Sequence, residues 1–200
     1  MISGRNWDCD VKADERRLVV AVTGASGSIY AARFLEAALP HYDRVCLTMT
    51  ENAQTIIRTE LPEGLPSSEK IEILAPNDLS APPSSGSVSH EGMVIIPCSM
   101  GAAGRIASGV SNDLVTRAAD VCLKERRRLI LVIRETPLNL IHLRNLTTLA
   151  EAGATILPAS PAFYHNPKTI EDLVDFVVAR VMQQLGLKHD SAPVWERPGE

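Results

Sequence analysis

The stretch that decides the fold runs from Arg17 to Pro40, "RLVVAVTGASGSIYAARFLEAALP". Its opening "RLVVAVTG" is a short, continuous apolar run closed by glycine, the pattern of a strand buried on both faces of a parallel sheet. The following "SIYAARFLEAALP" places apolar residues at helical spacing, with Ser26 or Ser28 available near its start and Pro40 beyond its end. Strand, tight glycine turn and helix together predict the first unit of an α/β layer. The turn itself, Thr23 to Ser28, combines glycines that permit close backbone approach with two hydroxyls and free amides at a helix start. Such a turn suits a phosphate or another electron-rich ligand. The competing reading is a small-residue turn that only lets helix and strand pack. The spacing is neither the GxGxxG of dinucleotide folds nor the Gly-Lys-Ser/Thr of a P-loop, so neither an NAD enzyme nor an NTPase is favoured.

The same alternation continues outward. "RVCLTMT" reads as a strand, "ENAQTIIRTE" as a helix and "KIEIL" as a shorter strand. From Ala75 to Gly92 the period breaks into "APNDLSAPPSSGSVSHEG", too polar for a core element. A loop this long inside a compact domain is more often functional than idle. "MVIIPCSMG" restores a buried strand, and the small residues of "AAGRIASGVSN" lead to a helix from about Asp113 to Arg126. Then follow a strand at "RLILVI", a helix in "LNLIHLRNLTTLAEAG", a strand at "ATILP", the loop "ASPAFYHNP" and a last helix in "TIEDLVDFVVARVMQQLG". The expected fold is therefore α/β: one domain with an open, mostly parallel sheet of about six strands flanked by helices. Residues 1–16 are expected to form a disordered polar leader, 17–187 the ligand-binding domain and 188–200 a tail.

Composition narrows the function classes. A net charge of -4 and a pI near 5.8 argue against a broad basic surface for nucleic acid or anionic lipid. The four cysteines show no CxxC spacing and read as reduced thiols, so no structural metal is implied. The leader has no apolar targeting core, and the longest apolar runs fall far short of the roughly 20 residues of a membrane span. A cytoplasmic protein without a membrane span is expected.

In sheets of this type, ligands sit outside the carboxyl ends of the strands. A second small-residue turn, "PCSMGAAG", stands after the strand at residues 93–96. Two such turns on one sheet edge fit an extended phosphorylated cofactor better than one. Cys98 beside Ser99 invites a nucleophile reading, but neither lies in a triad pattern, which favours a buried thiol next to a ligand-facing hydroxyl. His142 reads as structural, whereas His165 beside Tyr164 lies in a loop near the ligand edge. Arg134 and Glu135 follow an apolar strand directly, at that same edge. A carboxylate there can move protons, and the arginine can hold a phosphate or a ring carbonyl. The alternative is a structural ion pair or a carboxylate satisfied by a helix dipole.

Taken together, "VTGASGSIYAARFLEAALP", "NDLSAPPSSGS", "MVIIPCSMG", "SNDLVTRAADVCLKERRRL", "IRETPLNLIHLRN" and "ILPASPAFYHNPKTIEDLVDFVVARV" closely resemble the UbiX-type flavin prenyltransferases, from Arg17 to about Leu187. The resemblance implies a Rossmann-like or flavodoxin-like flavoprotein. It implies transfer of a dimethylallyl group from dimethylallyl monophosphate to N5 and C6 of reduced FMN, giving prenylated FMN. That product serves UbiD-type decarboxylases, as in ubiquinone biosynthesis. The reaction needs no metal, and the sequence has no Asp-rich cluster of the kind that holds magnesium on a diphosphate.

By the same resemblance, Gly24, Ala25 and Ser26 would contact the flavin, with Ser26 near N5 and taking part in catalysis. Thr50, Ser99, Met100, Gly101, Ala102 and Arg134 would complete the FMN site, and Glu135 would be the acid/base. Lys124, Tyr164 and Arg180 would hold the dimethylallyl phosphate, with Arg117 another basic residue nearby. Leu79 stands where some members place a tryptophan, and Trp195 matches a tail tryptophan of others. Lys124 precedes the strand that Glu135 follows, which separates them by roughly 15 Å or more at about 3.3 Å per strand residue. Lys124 is therefore expected to serve a neighbouring subunit's site, in agreement with the dodecamers that the resemblance implies. A flavin-dependent peptidyl-cysteine decarboxylase and a non-catalytic FMN carrier are the alternatives.

Overall fold

A computed structural model of the protein describes residues 15–187. The expectations for most of the leader, for the tail and for Trp195 lie outside the described residues. Six strands, β1 (Arg17–Val22), β2 (Arg44–Met49), β3 (Ile71–Leu74), β4 (Gly92–Cys98), β5 (Arg128–Ile133) and β6 (Thr155–Pro158), form one sheet in the order β3-β2-β1-β4-β5-β6. Every neighbouring pair is parallel. The expectation of a mostly parallel sheet holds throughout.

The apolar runs of the central strands follow from burial on both faces. Leu18, Val20 and Val22 of β1 enter one core with Phe34 and Leu35 of α1 (Ser28–Ala38) and with Val177, Val178 and Val181 of α6 (Ile170–Gln184). Val19 and Ala21 enter a second core on the opposite face. That core includes Ala102 and Ala103 of α3 (Met100–Ala107), Val115 and Ala118 of α4 (Leu114–Lys124), and Leu149 of α5 (Leu140–Glu151). With each fully buried valine or leucine contributing about 1.5–3 kcal/mol, burial on both faces accounts for the apolar run of β1.

Two local expectations are corrected. The segment after β4 forms the separate helix α3, not merely a lead-in to α4. Its glycine and alanine content hides the helical period, but Ser99 caps it by accepting the Ala102 amide at 3.3 Å, and Ala102, Ala103 and Ile106 are buried. At the start of α1, no hydroxyl caps the helix. Gly27 is the N-cap with φ 104, a left-handed conformation that glycine adopts without penalty. The amides of Gly27 and Ser28 donate instead to Glu60, the last residue of α2 (Glu51–Glu60).

The sheet order changes direction between β1 and β4, so the chains leaving these strands diverge and open a crevice. Thr23 joins the two sides. Its hydroxyl donates to the Pro97 carbonyl at 2.9 Å and accepts the Ser99 amide at 2.8 Å, in a buried position. The polar loop after β3 begins at the same edge, where Pro76 accepts the Leu114 amide, and returns along α4 to the amino edge, where β4 starts.

Candidate active site at the carboxyl edge of the sheet

Around the crevice the fold gathers most of the residues that the sequence singled out. Gly24 and Ser26 are exposed on the turn after β1, while Ala25 between them is buried and offers only backbone to a ligand. Gly24 has no room for a side chain, because an added Cβ would stand 2.8 Å from Cβ of Asn52. Thr50 follows β2 and caps α2, accepting the Ala53 amide at 3.2 Å. Beyond Thr50 lies a cavity of about 290 Å³, lined in part by Asn52, Asn77 and Arg105, whose guanidinium pairs with Asp113.

On the β4 side, Met100 is buried, so its side chain belongs to the core and only its backbone faces the crevice. Gly101 is exposed, and a Cβ built there would meet nothing within 4 Å. The amides of Met100 and Gly101 precede the first intrahelical bond of α3 and have no partner among the described residues. This open helix start fits the polar edge or phosphate of a flavin nucleotide. The start of α1, which the sequence offered for that purpose, does not, since Glu60 already fills it.

Glu60 is the site residue that sequence reading missed. Burial raises its pKa, but hydrogen bonds from the Ser26 side chain and from the Ser28 and Gly27 amides outweigh burial and hold it below the ordinary carboxylate value. A carboxylate at the negative end of its own helix is unfavourable, and that misplacement in α2 was the one available signal. Arg134, just past β5, donates from Nε to the Ser26 carbonyl at 3.1 Å, which ties the ends of β5 and β1 together. Glu135 is exposed beside it and accepts the Thr136 amide at 3.2 Å. Cys98 is fully buried, and burial pushes its thiol pKa up to about 12, which removes it as a nucleophile. His142 belongs to the capping box of α5 with Asn139, a structural role.

Of the residues assigned to phosphate, Lys124 lies at the opposite edge of the sheet from this group. Lys124 ends α4 at the amino edge and forms an ion pair with Glu125. Arg117 lies along α4, bonding the Ser84 carbonyl at 3.0 Å and the Asp120 carboxylate at 2.8 Å. Tyr164 packs edge-on against Phe176, with ring centroids 6.0 Å apart, and the parallel His165 ring stacks on the same phenylalanine. One turn further along α6, Arg180 lines a groove against β6 with Phe176 and Leu157.

Among the described residues no group of His, Cys, Asp and Glu is arranged to hold a metal ion, and no helix is long and apolar enough to cross a membrane. The flavoprotein family matches residues 9–182 of the chain. The flavin prenyltransferase UbiX of Pseudomonas aeruginosa is 43% identical over 195 residues, covering 90% of this chain and 93% of that protein. The crystal structure of AnUbiX in complex with FMN and dimethylallyl pyrophosphate aligns with a TM-score of 0.86 at 41% identity, covering 92% of this chain and 98% of the other. A dodecameric FMN-dependent UbiX-like decarboxylase from Escherichia coli aligns with a TM-score of 0.84 at 40% identity, covering 90% and 100%. With two glycine turns converging on one crevice and this degree of identity along nearly its whole length, the chain belongs to the UbiX-type flavin prenyltransferases of the flavoprotein family.

Proposed function

We propose that this protein joins the dimethylallyl group of dimethylallyl monophosphate to reduced FMN and releases prenylated FMN and phosphate. The observation that carries this reading is the bond from Arg134 to the Ser26 carbonyl, which brings the acid/base candidate Glu135 to the flavin-binding turn. When bound, reduced FMN supplies the electron-rich N5 and C6 at which the new bonds form. The backbone of Gly24 to Ser26 and the start of α3 hold it in the crevice, with Thr50 and Arg134 at its rim.

The remaining chemistry belongs to side chains. The Ser26 side chain, which helps hold Glu60 ionised, has a hydroxyl oxygen that can accept a hydrogen bond from the N5 hydrogen. Glu135 stands where a carboxylate can accept the proton lost from C6. Lys124, Arg117, Tyr164 and Arg180 donate to the phosphate oxygens and so favour departure of the phosphate. Because Lys124 lies at the opposite end of β5 from Glu135 in one protomer, a neighbouring subunit supplies it, and a homo-oligomer of the dodecameric kind is the working form. The product serves a UbiD-type decarboxylase in the cytoplasm. A peptidyl-cysteine decarboxylase or an FMN carrier would have no use for this set of four with Glu135.

The test is anaerobic incubation of the protein with reduced FMN and dimethylallyl monophosphate, followed by mass spectrometry of the flavin. The expected product is heavier by one dimethylallyl unit. Unchanged flavin mass from folded, FMN-bound protein refutes the assignment.

A further inference from the structure

The long polar loop and the basic turn after α4, both outside the crevice, meet at one residue. Arg127 donates from Nη2 to the Gly86 carbonyl at 2.6 Å and from Nη1 to the Val88 carbonyl at 2.8 Å. The same Gly86 lies against Lys124 and Glu125: a Cβ built on it would stand 2.7 Å from Nζ of Lys124 and closer still to the Glu125 carboxylate. Arg126, at φ 52 in the left-handed region, turns the chain between α4 and β5, and the Arg127 amide is fixed at 2.8 Å to the Cys122 carbonyl. A guanidinium fork on two carbonyls of one loop is a stiff, directional clamp, unlike a single ammonium contact. Arg117 supplies a second fastening of the loop, through the Ser84 carbonyl at 3.0 Å.

We infer that Arg127 is a positioning residue for Lys124. Its fork holds the Gly86 to Val88 segment against the end of α4, and the bare Cα of Gly86 then sets the direction in which the Lys124 ammonium leaves the protomer. Without the clamp, the loop backs away and the lysine head samples many rotamers, so it meets a phosphate oxygen of the neighbouring site less often. This inference rests on the reading of Lys124 as a phosphate ligand.

The experiment is steady-state prenylation at saturating reduced FMN with varied dimethylallyl monophosphate, for Lys124→Ala, Arg127→Ala, Arg127→Lys, Gly86→Ala and the Lys124→Ala/Arg127→Ala double variant. Loss of the charge-assisted contact in Lys124→Ala is expected to raise the KM for the allyl phosphate about tenfold or more. Arg127→Ala is expected to raise the same KM about three- to tenfold, with Arg127→Lys in between and FMN affinity unchanged. The double variant is expected to match Lys124→Ala alone, because an arginine that acts only through the lysine adds nothing once the lysine is gone. Gly86→Ala tests the same coupling with Arg127 intact and is expected to raise that KM also. Multiplicative effects in the double variant, or an Arg127→Ala loss shared equally by FMN affinity and melting temperature, overturn the role of Arg127. An unchanged KM in Lys124→Ala overturns the phosphate reading beneath it, which is a distinguishable result.

Discussion

Glu60, the last residue of α2, accepts a 2.7 Å hydrogen bond from the amide of Ser28, the first residue of α1. The contact places a carboxylate at the positive end of one helix and, through the Ser26 hydroxyl, at the flavin turn.

A pH dependence follows from it. The folded-state pKa of Glu60 lies below its reference value of 4.5, so its contribution to stability is complete above that value and is lost as the pH falls through the lower folded value. Wild-type protein is therefore expected to lose melting temperature below about pH 4.5 more steeply than Glu60→Gln, which carries no such charge. Thermal melts of the two proteins across that range provide the check. Parallel curves would remove the contact from the account. At neutral pH, Glu60→Ala leaves two helix-start amides unpaired and is expected to cost about 1–3 kcal/mol.

Thr23 is expected to be as sensitive, for a different reason. Its hydroxyl satisfies a carbonyl and an amide of the β4 turn in a site with almost no solvent. Thr23→Val keeps the shape and leaves the Pro97 carbonyl its bond from the Thr23 amide at 3.2 Å, but it strands the Ser99 amide and is expected to destabilise the fold by about 1–3 kcal/mol in chemical denaturation. Because Ser99 loses its anchor, FMN affinity is expected to fall with stability. A variant as stable as wild type with unchanged affinity would contradict this.

How much of this was legible in the sequence depends on the range of the interaction. β1, β4 and β5 were readable because burial on both faces forces a continuous apolar run. The two glycine turns were readable because close backbone approach forces small residues. α3 was not, since it is only eight residues long and its Met100, Ala103 and Ile106 stripe is diluted by glycine and alanine. Glu60 was not, since its partners Gly27 and Ser28 lie 33 and 32 residues earlier and only tertiary packing brings them together. The role of Arg127 was not legible for the same reason: its acceptors at Gly86 and Val88 are loop carbonyls, which leave no trace in side-chain pattern.

Glu135 offers a cleaner separation of binding from chemistry. It is exposed, and its carboxylate accepts a hydrogen bond from the adjacent Thr136 amide, so Glu135→Gln is expected to leave both fold and FMN binding intact. If the carboxylate accepts the proton from C6, turnover is expected to fall about 10²- to 10⁴-fold. Single-turnover formation of prenylated flavin measures the loss, and equal rates in the two proteins would assign the proton to the departing phosphate instead.

The last prediction concerns assembly. Leu140, Ile141 and Leu143 of α5 are 60%, 67% and 49% exposed, and Leu138 before the helix is 37% exposed, while Leu146 and Leu149 of the same helix face the core. A cluster of large apolar side chains on one exposed helix is costly in water and marks a contact surface. A second copy of the chain is the occupant expected, because Lys124 and Glu135 lie at opposite ends of β5 and a complete site needs more than one protomer. Ile141→Asp buries a charge in that contact and is expected to shift the protein to smaller species in light scattering. Prenylation is expected to fall with the loss of assembly, even though each protomer still binds FMN at its crevice. Dissociated protomers with full activity would mean that Lys124 acts within its own chain or not at all, and would refute the shared site.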